Sequence, residues 1–134
     1  MRVTLALLAD YANFSREGKL NIMGVFDTLY APGFPTTHAH MQLVLRLEAD
    51  AAEAGSTHDV EVRLVKADGS VLWRLPGATT VQRGEPNEPV RTDSIVNVVN
   101  LTFEHAGRYA FDVVVDGTVA ARVPLRVEEI PARH

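Results

Sequence analysis

Along most of this chain apolar and polar residues alternate with a period of two, the mark of strands whose two faces meet different surroundings. Met41, Leu43, Leu45 and Leu47 alternate with Gln42, Val44, Arg46 and Glu48. Val60, Val62 and Leu64 alternate with Asp59, Glu61, Arg63 and Val65. Tyr109, Phe111 and Val113 alternate with Arg108, Ala110, Asp112 and Val114. Val119, Ala121, Val123, Leu125 and Val127 alternate with Ala120, Arg122, Pro124, Arg126 and Glu128. One buried and one solvated face per strand is the antiparallel signature. Further strands at Val3–Ala9, Lys19–Phe26, Val71–Leu75 and Ser94–Phe103 bring the total to about eight, at the spacing of a two-sheet β-sandwich. Asp50–Ala54 predicts a lone helical turn, too short to stand by itself.

Two Asp-Gly pairs mark hairpins, and face matching predicts their registers. A three-residue loop, Val115-Asp116-Gly117, sets Val113 on Val119, Phe111 on Ala121 and Tyr109 on Val123. A two-residue loop would set Phe111 opposite Arg122, which mixes the faces. In the other hairpin a four-residue loop, Lys66–Gly69, opposes Glu61 to Arg74, whereas two residues would oppose Arg63 to Arg74. Two stretches break the alternation. Tyr30–His38 holds Pro32 and Pro35, and Pro76–Asp93 is a long, partly irregular loop with a short strand near Thr79–Gln82. The tail at 129–134 is expected to fray.

Composition narrows the classes. A chain of 134 residues is expected to form one domain, residues 1–134, and zero cysteines exclude a disulfide scaffold, a cysteine nucleophile and a thiolate metal site. Thirteen basic against 17 acidic residues and a pI near 5.7 point away from nucleic acid. No apolar run approaches the ~20 residues of a membrane span. Thr4 interrupts and Asp10 ends the first apolar run, so it predicts a strand rather than an export signal. A cytoplasmic location is the expectation.

Glu104-His105-Ala106-Gly107-Arg108-Tyr109-Ala110-Phe111 resembles the approach to strand F of immunoglobulin-like domains. There a tyrosine hydrogen-bonds back to the E–F corner. Tyr109 matches that tyrosine, and Phe111 stands where the cysteine of that family would be. The resemblance implies an all-β, antiparallel, two-sheet immunoglobulin-like sandwich. Leu7-Leu8-Ala9-Asp10-Tyr11-Ala12-Asn13 and Gly18-Lys19-Leu20-Asn21-Ile22-Met23-Gly24-Val25-Phe26-Asp27 are similar to a bacterial domain-of-unknown-function family. So are Tyr30-Ala31-Pro32, Leu45-Arg46-Leu47, Leu75-Pro76-Gly77 and Tyr109 to Gly117. That likeness covers nearly the whole chain, and implies a small stand-alone sandwich with no assigned activity.

Candidate chemistry is sparse. His38-x-His40 puts two imidazoles on one face of a strand, with His58, Asp10 or His105 as a third metal ligand if folding brings one near. Asp10-Tyr11-x-Asn13 and Asp27 are the candidates for acid–base work, although such residues commonly stop strands by bonding their own backbone. The serines, Ser15, Ser56, Ser70 and Ser94, stand beside turns, where hydroxyls cap the backbone. Trp73, Phe111 and Tyr109 read as core, and Gly69, Gly107 and Gly117 as turn positions. Ser94–Phe103 is apolar on both sides apart from Asn97 and Asn100, whose amides need partners. Val96, Val98 and Val114 are therefore the interface candidates. The reading is a non-enzymatic cytoplasmic binding or interaction module, a homodimer with room for a further, unidentified protein partner, its rim loops and one sheet face forming the partner surface, and with no cofactor, no nucleic acid and no membrane. The alternative is a small enzyme or metal-binding protein using His38, His40 and the Asp10 region.

Overall fold

The computed structural model describes residues 1–131. Ten strands follow one another: β1 (Arg2–Phe14), β2 (Leu20–Phe26), β3 (Thr28–Ala31), β4 (Thr36–Ala49), β5 (Thr57–Lys66), β6 (Val71–Leu75), β7 (Ala78–Thr80), β8 (Val90–Phe103), β9 (Gly107–Val115) and β10 (Thr118–Glu129). Sheet I has the order β2-β1-β4-β8, and sheet II the order β3-β10-β9-β5-β6 with β7 paired to β5. The helical turn expected at Asp50–Ala54 is a 3₁₀ turn, Ala51–Glu53, closed by a capping box between Asp50 and Glu53.

The expected all-β two-sheet sandwich is present, with two strands more than the alternation revealed. β3 is only four residues long and pairs parallel with β10, from Thr28–Arg126 to Ala31–Glu129, so sheet II is not wholly antiparallel. β7 and the start of β8 take up both ends of the expected loop at Pro76–Asp93. Within that loop Val81 is 2% exposed, exchanging backbone hydrogen bonds with Gly55 and Ser56. The expected frayed tail is tied down at its start: the Ile130 N–H donates to the Ala31 carbonyl at 2.8 Å. Residues 132–134 lie outside the described residues.

Both hairpin registers differ from the expected ones, for one physical reason. Asp116 and Gly117 form a two-residue turn with φ of 49° and 84°, as a type I′ turn requires. Thr118 then faces Val115, and a bulge between Val119 and Ala121 puts Ala121 opposite Val113, Val123 opposite Phe111 and Leu125 opposite Tyr109. The bulge absorbs one residue and so restores the apolar face that a two-residue loop seemed to sacrifice. In the β5–β6 hairpin the Lys66 N–H bonds Ser70, Gly69 turns at φ 87°, and a bulge after Leu64 leaves Arg63 opposite Arg74. Glu61 offsets that like-charge pair by bonding Arg63 and reaching to within 3.9 Å of Arg74.

The core lies between the sheets. Leu8, Met41, Leu43 and Leu45 project from sheet I; Leu64, Phe111, Val113, Leu125 and Val127 project from sheet II. Trp73 is half-buried and meets Phe111 edge-on at 6.1 Å. Tyr109 is 8% exposed, packs edge-on against Phe103 at 5.0 Å, and donates its hydroxyl to the His105 carbonyl at 2.6 Å. Burial pushes its phenol pKa up, so the donor stays protonated. Gly107, at φ 153°, lets the chain turn into β9 between those two partners. Removing only the hydroxyl, Tyr109→Phe, strands a carbonyl and is expected to cost about 1–3 kcal/mol. Tyr109→Ala adds a cavity beneath Phe103 and should cost ~3–5 kcal/mol. Urea denaturation of both variants checks the pair, and equality of Tyr109→Phe with the parent would show a hydroxyl without structural work.

Candidate functional site

The outward face of sheet I gathers four large exposed apolar residues, Tyr11, Met23, Val25 and Val99. Strand register sets out its rows. Leu7, Val44 and Ile95 lie side by side on β1, β4 and β8. Val25, Ala9, Gln42 and Asn97 form the next row, and Met23 pairs with Tyr11 while His40 pairs with Val99 beyond it. Val44 and Ala9 are fully buried on this outer face, whereas Met23, Val25, Val99 and Tyr11 are 64%, 62%, 56% and 49% exposed. At the opposite end the rows turn charged. Arg46 holds Asp93 through two hydrogen bonds (2.7 and 3.2 Å), and Arg2 reaches Glu48 and Asp50. The guanidinium of Arg46 draws the Asp93 carboxyl below its usual range.

A polar bridge crosses the middle of the face. β1 leaves β4 after the Ala9–Gln42 pair and continues with β2 alone. The Ala12 N–H thereby loses its strand partner, and the side-chain oxygen of Gln42 accepts it instead. The amide of Gln42 then donates to Asn97 Oδ1 at 2.7 Å, linking β1, β4 and β8. Asn97 thus has its partner within the chain. Buried at 7% exposure, Gln42 is satisfied at both ends.

The sequence-predicted site residues are dispersed. His38 turns toward the core side, half-buried beside Phe26 with ring centres 6.4 Å apart, while His40 is exposed on the outer face. Asn100, at φ 52° opposite this stretch of β4, marks the break that separates their faces. Asp10 lies against Gly24, where any Cβ would collide with its carboxylate, and Gly24 sits at φ 69°. Asn13 accepts from Asn21 at 3.0 Å, and Asp27 from the hydroxyl of Thr28 at 2.9 Å. His105 is exposed and contributes its carbonyl to Tyr109. Among the described residues no group of three or more His, Asp or Glu is placed to hold a metal ion. Val98 is 1% exposed and inside the core, and Val114 is 2% exposed beneath its sheet II neighbours Glu61 and Val119. Neither side chain is offered to a partner; Val96 is half-buried at the core margin of β8.

One polar cluster has no forerunner in the alternation pattern. Pairing of β5 with β9 brings His58 beside the Asp116 turn, where its Nδ1 lies 2.6 Å from Asp116 Oδ2. On the other side its Nε2 lies 3.0 Å from Ser56 Oγ and 3.5 Å from Glu53 Oε1. The order serine–histidine–aspartate has the outline of a nucleophile and its base. Proton direction counts against that chemistry: Ser56 donates its hydroxyl to the Glu53 carbonyl at 2.5 Å, so no serine proton points at His58. The cluster ties the 3₁₀ turn, β5 and the β9–β10 hairpin together. A reader who knew that β5 neighbours β9 could have found it, but adjacency of strands is not written in either strand alone.

The ordered sheets and this face define a small two-sheet β protein with an apolar outer surface. The chain belongs to a family of unknown function (DUF6941), whose model matches residues 4–128. No curated protein matches it in sequence. Among solved structures it is similar to Pseudomonas fluorescens alkylpurine DNA glycosylase AlkC bound to DNA containing an abasic site analog, at 13% identity and a TM-score of 0.47 over 75% of this chain. The chain spans 27% of that one.

The cluster makes a pH prediction. The hydrogen bond from His58 lowers the Asp116 pKa, and the amino group of Met1 lowers that of Glu53. Groups with depressed folded pKa values stabilise above their unfolded values and lose that contribution as pH falls through the folded ones. Stability should therefore decline below about pH 5, and His58→Gln should lose more at pH 6 than at pH ~3.5. Denaturation midpoints at the two pH values give the comparison; an equal loss at both would show that the His58–Asp116 contact is not electrostatic.

Proposed function

We propose that this protein is a non-enzymatic binding module of the cytoplasm, an immunoglobulin-like sandwich that acts as a homodimer through sheet I. The apolar outer face of that sheet carries the reading. Met23, Val25 and Val99 are each more than half exposed next to the buried Val44 and Ala9, and single-chain packing leaves them without cover. The corner bond of Tyr109 to His105 supports the immunoglobulin-like assignment. Absence of cysteine suits a reducing compartment. No helix among the described residues is long and apolar enough to cross a membrane.

The polar groups favour binding over chemistry and over nucleic acid. Arg46, Arg63 and Arg122 are all held by carboxylates of the same chain rather than aligned as a phosphate-tracking stripe. Asn13, Asp27 and the His58 cluster are each engaged with neighbouring groups. The reading includes no cofactor or metal. Light scattering at micromolar concentration is expected to give twice the 14.7 kDa chain mass. A monomer mass throughout a hundredfold dilution series overturns the homodimer.

A further inference from the structure

Among the described residues five strands form edges: β2 and β8 in sheet I, and β3, β6 and the three-residue β7 in sheet II. An unpaired edge exposes a row of N–H and C=O groups that templates another strand unless it is short, bent or charged. β3 and β6 have four and five residues. β2 has seven, and Gly24 bends it at φ 69°. β8 has 14 residues, pairs with β4 without a register shift from Val90 to Val99, and carries no proline. It is the one long edge.

We propose that two copies of this chain join edge to edge through β8, antiparallel, about a two-fold axis at Asn97, fusing two four-stranded sheets into one of eight strands. This rests on the homodimer reading and places its joint at the β8 edge, where Val99 lies, leaving Met23 and Val25 on β2 at the far edge of the sheet. A two-fold perpendicular to the sheet keeps core-facing residues opposite core-facing residues only when paired numbers sum to an even value. Centring on Ile95 would oppose Arg91 to Val99 and Thr92 to Val98. Centring on Val96 would oppose Asp93 to Val99 and Ile95 to Asn97. Centring on Asn97 matches every pair: Val96 meets Val98 of the second copy on the inner side, and Ile95 meets its Val99 on the outer side. Asn97 meets its own copy, amide to amide, and Ser94 meets Asn100.

The ends of that window are built in. Asn100 at φ 52° breaks the extended backbone on one side. On the other, Asp93 is already held by Arg46 and points away from any newcomer. The joint also brings the outer-face Ile95 and Val99 of both copies together, covering apolar surface that is 56% exposed at Val99 in the single chain. Val98, buried as a side chain, still offers its backbone.

The chain has no cysteine, so a single introduced one reports the register. Side chains directly opposite across antiparallel strands have Cβ atoms ~4.5–5.5 Å apart, near enough for a disulfide after a small adjustment. Asn97→Cys is expected to cross-link to dimer under mild oxidation at least ~tenfold faster than Thr102→Cys, an exposed position outside the window. Ser94→Cys alone should stay monomeric on a non-reducing gel but link when mixed with Asn100→Cys. Val99→Lys, on an exposed position that folding tolerates, should weaken dimerisation at least ~tenfold. A parent of dimeric mass whose Asn97→Cys links no faster than Thr102→Cys, or whose Val99→Lys dimerises normally, overturns the β8 joint while the homodimer stands. A monomeric parent overturns both.

Discussion

Every strand in this molecule has to keep one set of side chains on the shared core, because a slip of one residue would turn that whole set out into water. The irregularities all serve that requirement. The type I′ turn at Asp116-Gly117 would throw Phe111 against Arg122 if β10 ran on regularly, and the bulge before Ala121 corrects it within four residues. The bulge after Leu64 does the same for Trp73 and accepts an Arg63–Arg74 opposition that Glu61 neutralises. Losing the apolar face of a hairpin would expose several large side chains at ~1.5–3 kcal/mol each, far more than an exposed like-charge pair costs. Core parity therefore decides the register, and charges adapt to it.

The same priority shapes the candidate surface. β4 is buried along its middle on both faces, from Met41 to Leu45, and β1 can accompany it only as far as Ala9. Where β1 departs, a backbone N–H would be left in apolar surroundings, and Gln42 supplies an acceptor from its side chain. Its other end fixes Asn97 on β8. One buried amide thus positions the diverging strand that carries Tyr11 and the edge strand beyond β4. The apolar outer face follows from this geometry, since β1 and β2 leave together after the Val25–Ala9 pair and carry Tyr11 and Met23 beyond the last pairing with β4.

Strand existence was legible in the residues because alternation is a local property, visible in Met41–Glu48 or Tyr109–Val114 without knowledge of partners. Registers were not, because Ala120 carries no mark that it will be the bulged residue. β3 escaped notice for a related reason: four residues hold too few alternations to stand out, and its parallel pairing with β10 gives no hairpin signal. The metal reading of His38 and His40 assumed a regular strand, and the irregularity at Asn100 sends the two imidazoles to different sides. Val114 faces away from the core, as its place in the alternation requires, yet neighbours on a central strand cover it. His58 and Asp116 were each visible, but their meeting depends on which strands are adjacent.

Edges separate a soluble assembly from a growing one. A chain with two long, straight edges in the same sheet would pass strand after strand to new copies and form an open fibre. Sheet I has one such edge: β8 is long and pairs with β4 without a register shift as far as Val99, whereas β2 is half its length and turns at Gly24, where Asp10 occupies the space a side chain would need. The two-fold pairing proposed at β8 would use up the long edge on both copies at once, and the resulting sheet would end in a bent β2 on either side. Closure at two copies would then be a property of Gly24 and Asp10 as much as of the joint itself. The residues that protect the far edge lie a full sheet width from the residues proposed to pair, joined to them through Gln42 and the β1–β4–β8 ladder.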